Sequence, residues 1–398
     1  MAGPLAGIRI LDLSAVLMGP SATQLLGDMG ADVIKIEPPD GDTTRRIGPG
    51  RSPTMGSNFL NMNRSKRSVV LDLKNPASRD VMHRLIERAD VLVLNIRPQA
   101  ARRIGLDHDS VRAVNPRIVY CALTGFGSDG PYAGQPAYDD LIQGLAALPA
   151  LYAQSAGEPH YVPTPIADRV AGLHAVVAIL GALMHRERSG EGQAVEVPMF
   201  ETVAHTVLAD QIYGHTFVPP IGEPGYPRVL SPQRHPYRTS DGWLCILVYN
   251  DKHWRDFFNL IGRGDLLADP RFGSMRGRNE HIDELYGMLA RALAGKTTAQ
   301  WLELLAKADI PAGPMNTLHN LIDDPHLARK DFFQQVEHPT EGSIRSMRVP
   351  TRWSATPPEP ARLAPNLGEH GDEVLRELGY SGEEIVSLRE RGVLGAAH

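Results

Sequence analysis

A single carboxylate, Asp168, stands where a proline-rich approach meets a long apolar segment. Pro163 and Pro165 favour an extended chain before it, because proline fixes its own φ and excludes the preceding residue from the helical region. A helical pattern then begins, which makes Asp168 a good N-cap. Two roles are open to this residue. It caps the helix, which is worth about 1 kcal/mol, or it is a nucleophile, because a carboxylate kept ionised at a helix N-terminus and partly stripped of water can attack an activated acyl carbon.

The element that positions Asp168 is a predicted helix whose apolar residues run from Val170 to Met184. The segment is apolar nearly all round, which is typical of a buried helix. A basic run, 185–188, and then Ser189-Gly190 follow, as expected at a helix C-terminus. The segment carries His174 and is short for a membrane span, so we expect no membrane association.

The first part of the chain alternates short apolar runs with helical patterns, which predicts an open parallel α/β sheet. The predicted strands are residues 8–13, 31–37, 68–74, 90–95 and 117–123, with 193–197 following the long helix. The first unit imitates a dinucleotide-binding unit, but its turn, residues 14–20, lacks the G-x-G-x-x-G glycines that let a backbone approach a pyrophosphate. A nicotinamide oxidoreductase is therefore disfavoured.

Cationic side chains follow the carboxyl ends of these strands, which is where such sheets bind ligands. They are Lys74, Arg97, Arg102 and Arg103. A cluster of this kind suits phosphate groups, and the alternative is a set of solvated surface cations. Residues 63–67 form a predicted small basic turn.

Length, net charge and cysteine content limit the classes of protein to which this chain can belong. A chain of 398 residues predicts two domains, or one large domain with an insertion. The net charge of −5 is spread thinly, which argues against a nucleic-acid binder. Cys121 and Cys245 both lie in apolar, strand-like runs and are predicted to be buried thiols. With no signal peptide visible at the start, we expect a cytoplasmic protein.

The second half of the chain has a different character. Residues 219–227, rich in proline and glycine, indicate a linker, and residues 237–248 predict a hairpin with an Asp-Gly turn. Residues 250–261, 280–294 and 298–308 predict helices, and residues 310–314 a rigid turn. A strand over 342–350, a proline-rich linker over 357–368 and a helical stretch over 371–391 complete the prediction.

Several of these stretches together resemble the class III coenzyme A (CoA) transferases, the family that includes formyl-CoA transferase, carnitine CoA-transferase and the α-methylacyl-CoA racemases. The matching pieces, in chain order, are residues 19–39, 63–68 with 71–74, 95–98, 125–131, 137–139, 166–168, 250–254 and 310–314. No piece is decisive by itself, but the ordered set covers most of the chain.

The resemblance implies a reaction and a site. Asp168 would attack an acyl-CoA thioester to give an aspartyl anhydride, and the CoA thiolate would return to give an aspartyl-CoA thioester that the acceptor carboxylate opens. CoA would be a substrate, with no permanently bound cofactor and no metal. The positions implied to contact CoA are Val16, Leu71, Lys74, Asn95, Ile96, Ala100 and Arg103, with Lys74 and Arg103 near phosphates.

The resemblance also implies an architecture, an interlaced homodimer. Its large Rossmann-like domain would comprise residues 1–218 and 335–398, and its small α+β domain residues 228–330, joined by the linkers at 219–227 and 357–368.

Two positions depart from branches of the family. Leu17 stands where the formyl-CoA enzyme has a glutamine, which disfavours oxalate or formate as the substrate. Tyr138 stands where the racemases have an active-site histidine, and a tyrosine with an ordinary pKa of about 10 is poorly suited to moving an α-proton. Tyr138 is expected either to donate a hydrogen bond to a carboxylate substrate or to be a buried aromatic. A racemase and a non-catalytic CoA-binding paralogue remain as alternatives to a CoA-transferase.

Overall fold

The computed structural model describes residues 3–395, which divide into two compact units. The large unit contains residues 3–142, 164–203 and 325–395, and the small unit contains 143–163 and 204–324. This division assigns residues 143–163 and 204–218 to the small unit and 325–330 to the large unit, unlike the bounds expected from sequence. The domain bounds stay a prediction.

A six-stranded parallel sheet forms the centre of the large unit. Its strands are β1 (Arg9–Leu13), β2 (Asp32–Glu37), β3 (Lys66–Val70), β4 (Val91–Leu94), β5 (Val119–Thr124) and β6 (Ala194–Pro198). They are ordered β3-β2-β1-β4-β5-β6, which confirms the predicted open parallel α/β sheet. Ile10, Leu11, Ile34 and Leu92 are fully buried, as expected where helices cover both faces of a parallel sheet.

Helices connect and flank the strands of the large unit. The first of them are α1 (Met18–Asp28), α2 (Ser57–Met62), α3 (Ser78–Glu87), α4 (Pro98–Ile104), α5 (His108–Val114) and α6 (Asp139–Leu145), with a 3₁₀ helix at Thr43–Arg46. After α7 (Leu148–Ala156) in the small unit, the chain continues through α8 (Ile166–Ser189) and α9 (Met199–Gln211). The division between units falls within α6 and α9.

The helix α8 differs from its prediction in two ways. It begins at Ile166 with Pro165 as N-cap, so Asp168 is the third helical residue and the predicted N-cap role is wrong. One side of α8 is also exposed: Leu173, Val177 and Met184 keep 55%, 69% and 59% of their surface accessible. By length and composition alone α8 could cross a membrane, but half of its most apolar window is buried inside the protein, as in a core helix.

The small unit is built on a three-stranded antiparallel sheet. It contains β7 (Tyr237–Arg238), β8 (Trp243–Ile246) and β9 (Ala312–Pro314). The predicted hairpin is therefore confirmed, whereas residues 312–314 of the predicted rigid turn form an edge strand. Cys121 in β5 is buried as predicted, but Cys245 is exposed, because alternate residues of β8 face away from the core.

The remaining helices of the small unit include the three predicted over 250–261, 280–294 and 298–308, together with shorter helices that were not predicted. They are α10 (Pro227–Leu230), α11 (Asp251–Leu260), α12 (Met275–Glu280), α13 (Ile282–Leu293), α14 (Thr298–Lys307) and α15 (Leu318–Ile322), with 3₁₀ helices at Tyr213–Thr216 and Gly264–Ala268. Trp254, Phe257, Phe258 and Trp301 are buried together in the core of this unit. Aromatic residues make up seven of the sixteen buried residues of this core.

The chain returns to the large unit through α16 (Pro325–Arg329), the hairpin β10 (Phe333–His338)–β11 (Gly342–Met347), α17 (Gly371–Glu377) and α18 (Gly382–Glu390). The predicted strand over 342–350 is confirmed for 342–347, but the single helical stretch over 371–391 is two helices. They are separated at Gly379, whose φ of +91° is a left-handed conformation that favours glycine. Residues 357–368 have no regular structure, as expected, yet Ala364 and Leu367 are buried.

Candidate active site

The loops after β1 and β4 meet at the point where the strand order reverses. In open α/β sheets this switch point is where ligands bind. Asn95, just after β4, donates from Nδ2 to the carbonyl of Ala15 at 2.9 Å and accepts the N–H of Ala15 on Oδ1 at 3.1 Å. The Asn95 side chain therefore holds the loop after β1 by both the main-chain N–H and the main-chain carbonyl of Ala15.

Val16, the next residue of this loop, has a φ of +72°. A β-branched residue is disfavoured there, by about 1–2 kcal/mol. Its neighbours hold it in place: the carboxylate of Asp42 accepts the Val16 N–H at 3.4 Å, and Lys35 Nζ donates to the carbonyl of Ser14 at 2.8 Å. The conformation of the loop is thus fixed before any ligand arrives.

A buried ion-pair network adjoins the same loop. Lys66 Nζ lies 2.9 Å from Asp12 Oδ2, both side chains being fully buried, and Lys35 Nζ lies 2.9 Å from Asp42 Oδ2. Burial alone would raise the pKa of Asp12, but the ammonium groups of Lys66 and Lys35 hold it well below its usual range. Residues 63–67, predicted to be a small basic turn, are buried, and their cations meet these and other acidic partners.

Asp168 lies in the first turn of α8, with only 9% of its surface exposed. Its carboxylate accepts a hydrogen bond from the main-chain N–H of Met18, the first residue of α1. Its own N–H donates to Asp139 Oδ1 at 3.0 Å. Burial first, and then the charge of Asp139, raise the pKa of Asp168 to about 6, while the Met18 N–H and Arg169 act in the opposite direction. The result is a desolvated carboxylate that is still mostly ionised at neutral pH.

Gly172 allows α1 to approach α8 closely enough for the contact between Met18 and Asp168. A Cβ at position 172 would lie 2.8 Å from the carbonyl oxygen of Met18 and 2.8 Å from Ser21 Oγ. Any other residue would therefore push the first turn of α1 away. The N-terminal end of the α1 dipole also favours a negative charge at Asp168.

The two expected substrate residues adjoin the groups that bond to Asp168. Leu17 is the N-cap of α1 and precedes Met18, and its side chain is half-buried. Tyr138 precedes Asp139 and is 71% exposed, so the alternative of a buried aromatic is wrong.

The residues implied to contact CoA lie along the carboxyl edge of the sheet and on α4. Lys74 and Arg103 are exposed, and Val16, Ile96 and Ala100 are half-buried. Leu71 is fully buried, and its N–H donates to the carbonyl of Glu37 at 2.9 Å. Asn95 is exposed, although its amide already binds Ala15.

Three features of this site were missed from sequence: Asp139, the Met18 N–H and the Asn95–Ala15 bonds. Asp139 was part of a matched motif, but nothing in the chain shows that it reaches a residue 29 positions away. Within residues 3–395 no group of three or more histidine, cysteine or acidic side chains is placed to hold a metal ion.

Comparisons with known proteins identify the family of the chain. The family model "CoA-transferase family III" matches residues 5–371. The succinate–glutarate CoA-transferase of Agrobacterium fabrum is 36% identical over 94% of this chain and 96% of its own length. A formyl-CoA:oxalate CoA-transferase of Streptomyces avermitilis is 33% identical over 99% of this chain and 100% of its own.

Solved structures of related proteins are similar to this chain over nearly its whole length. The structure of Rv3272 from Mycobacterium tuberculosis, described as a probable fatty acyl-CoA transferase, aligns with a TM-score of 0.81 at 34% identity, covering 93% of this chain and 99% of that one. A CaiB/BaiF family protein from Brucella suis aligns with a TM-score of 0.79 at 32% identity, over 95% of this chain and all of that one. The chain therefore belongs to CoA-transferase family III.

Proposed function

We propose that this protein moves CoA from an acyl-CoA donor to a carboxylic acid acceptor, with Asp168 as the nucleophile. The observation that carries the proposal is the setting of Asp168: a buried carboxylate in the first turn of α8 that accepts the N–H of Met18 at the start of α1. A carboxylate whose pKa is about 6 is ionised at neutral pH and more basic than an ordinary aspartate, which suits covalent catalysis.

The reaction proceeds by exchange at carbonyl carbons. A carboxylate oxygen of Asp168 bonds to the thioester carbon, the C–S bond breaks, and the thiolate leaves with the electron pair. The thiolate then attacks the Asp168 carbonyl of the mixed anhydride, releasing the donor acid as a carboxylate and leaving an aspartyl-CoA thioester. The acceptor carboxylate attacks this thioester to form a second anhydride and thiolate. Attack of the thiolate on the acceptor acyl carbon gives the new acyl-CoA and restores Asp168.

We further propose that CoA binds along the carboxyl edge of the sheet. Lys74 and Arg103 are exposed there and suit its phosphate groups, because cationic side chains form charge-assisted hydrogen bonds with phosphate oxygens. Val16, Leu71, Asn95, Ile96 and Ala100 lie at the same edge or on α4. Leu17 and Tyr138, beside the groups that bond to Asp168, are the proposed contacts of the small carboxylic acid.

Trapping of the covalent intermediate tests the nucleophile. Hydroxylamine added during turnover with an acyl-CoA and a panel of carboxylic acids should convert Asp168 to a hydroxamate, detected by mass spectrometry of peptides. Asp168→Ala should reduce transfer by on the order of 10⁴-fold or more, because loss of a covalent nucleophile removes the whole pathway. CoA should still bind this variant in a calorimetric titration. Substantial transfer by Asp168→Ala, or a hydroxamate on another residue, would contradict the assignment.

We also propose that two copies of the chain associate. The exposed apolar side of α8, formed by Leu173, Val177 and Met184, supports this, because such a surface is unfavourable in water. Val177→Glu should weaken the dimer in sedimentation velocity, and Arg188→Glu, an exposed change on the same helix, serves as the control. A monomeric wild-type protein, or a Val177→Glu dimer as tight as the wild type, would refute the proposal.

A further inference from the structure

The first turn of α8 lacks a local cap. The first N–H groups of a helix have no partner within the helix, and the N-cap side chain commonly accepts one of them. Pro165 occupies this position and provides no such acceptor. Asp139, the first residue of α6, takes over the role: its Oδ1 accepts the N–H of Asp168 at 3.0 Å. The cap is thus supplied by a different element, 29 residues earlier in the chain.

This bond also places a second carboxylate beside the Asp168 side chain. Both residues are only 9% exposed, so little water screens one charge from the other. The charged or polar groups that face Asp168 are Asp139 from α6, the Met18 N–H from α1 and Arg169 on its own helix. Arg169 is exposed, and the one ionisable side chain of α1, Asp28, is paired with Arg64. Arg169 is therefore a weak counterion for the Asp168 carboxylate.

We infer that Asp139 is a positioning residue for the proposed reaction: its hydrogen bond fixes the first turn of α8, and its negative charge raises the energy of ionised Asp168. The inference rests on the proposed role of Asp168 as nucleophile. When the Asp168 oxygen bonds to the acyl carbon, the C–S electron pair moves to sulfur. The negative charge thereby leaves Asp168 for the thiolate, and the repulsion from Asp139 is relieved. Asp139 favours bond formation without touching the substrate.

Two substitutions separate the hydrogen bond from the charge. Asp139→Asn keeps an oxygen acceptor for the Asp168 N–H but removes the charge, whereas Asp139→Ala removes both. Asp140→Asn is the matched control, since Asp140 is exposed on the same helix. Because a like charge in a poorly screened site opposes ionisation, Asp139→Asn should lower the titration midpoint of Asp168 by about one pH unit. Asp140→Asn should leave it unchanged.

The test follows the Asp168 carboxyl directly, by ¹³C NMR of protein labelled at aspartate Cγ, with the signal assigned by its loss in Asp168→Asn. The pH profile of kcat/KM is measured on the same variants. We expect the Asp168 titration and the acidic limb of the profile to move together to lower pH in Asp139→Asn. Asp139→Ala should in addition lose more transfer activity than Asp139→Asn, because only alanine removes the cap. If Asp139→Ala fails to fold, Asp139→Asn still decides the question.

An Asp168 titration that is the same in wild type and Asp139→Asn would overturn the inference, even with a normal hydroxamate trapped at Asp168. Failure of the trapping experiment with a shifted titration would instead overturn the nucleophile assignment while leaving the electrostatic contact in place. The two proposals therefore fail in different experiments.

Discussion

Two sets of buried carboxylates in the large unit have opposite surroundings. Asp12, Glu37 and Asp42 each face a buried cation, and interactions with these cations and nearby donors hold their pKa values below the usual range despite burial. Asp168 faces another carboxylate, one N–H and the exposed Arg169, and its pKa is raised to about 6. All four belong to the same unit, so burial alone does not determine which way a carboxyl group titrates.

The first set is well matched geometrically. Arg45 donates from Nε and Nη2 to the two carboxylate oxygens of Glu37, each at 2.7 Å, and Ser68 Oγ donates to the same group at 2.6 Å. A bidentate pair of this kind combines charge with directional hydrogen bonds. These contacts join β2, β3 and the 3₁₀ helix at Thr43–Arg46, and so anchor the carboxyl edge of the sheet.

The comparison teaches that the paired carboxylates anchor the edge of the sheet, whereas the poorly compensated carboxylate is the one that we propose as the nucleophile. Buried charges are tolerated when partners satisfy them, and removal of one partner is strongly destabilising. A group left without such compensation lowers stability and is a functional-site candidate. Substitutions that remove a charge should therefore lower the free energy of unfolding in the paired set and raise it at Asp168, and both changes can be measured.

The largest effect is expected from breaking the paired set. Lys66→Met leaves Asp12 buried beside Lys35 alone, and the free energy of unfolding, measured with urea, should fall by about 3–5 kcal/mol. Lys307→Met is the matched control, because Lys307 pairs with Glu303 on an exposed helix face. That variant should unfold like the wild type. If both variants were equally stable, the Asp12–Lys66 pair would not be a structural anchor.

Sequence alone predicted the sheet and the position of Asp168, because both depend on local patterns. Each strand is recognised from a short run of neighbouring apolar residues. The start of α8 is recognised from Pro163 and Pro165, which precede it in the sequence. The N-cap prediction for Asp168 was wrong because the helix begins directly after Pro165, three residues earlier than the capping preference indicated. Boundaries of this kind depend on the acceptor that Asp139 provides from elsewhere in the chain.

The buried ion pairs of Lys66 and Arg67 could not be predicted either, because their partners are distant in the sequence. Lys66 and Arg67 were assigned to a small basic turn, whereas the structure places both in β3 as buried residues. Their partners Asp12 and Asp32 lie on β1 and β2, and only the parallel pairing of the strands brings them together. The same limit applies to Asn95, whose contact with Ala15 spans 80 residues. Side-chain pairing over such separations is a property of the fold rather than of any local motif.

A smaller effect of opposite sign is expected at Asp168. A carboxyl group whose pKa rises on folding binds more protons in the folded state between its unfolded and folded pKa values, so stability falls as the pH rises through that interval. The rise from 3.8 to about 6 corresponds to at most about 3 kcal/mol. Asp168→Asn should therefore stabilise the protein by up to this amount at pH 8, and the gain should vanish near pH 4. Urea unfolding at the two pH values measures it, with Asp140→Asn as the control. An equal gain at both pH values would mean that shape rather than charge is responsible, and the contrast between the two sets of carboxylates would then fail.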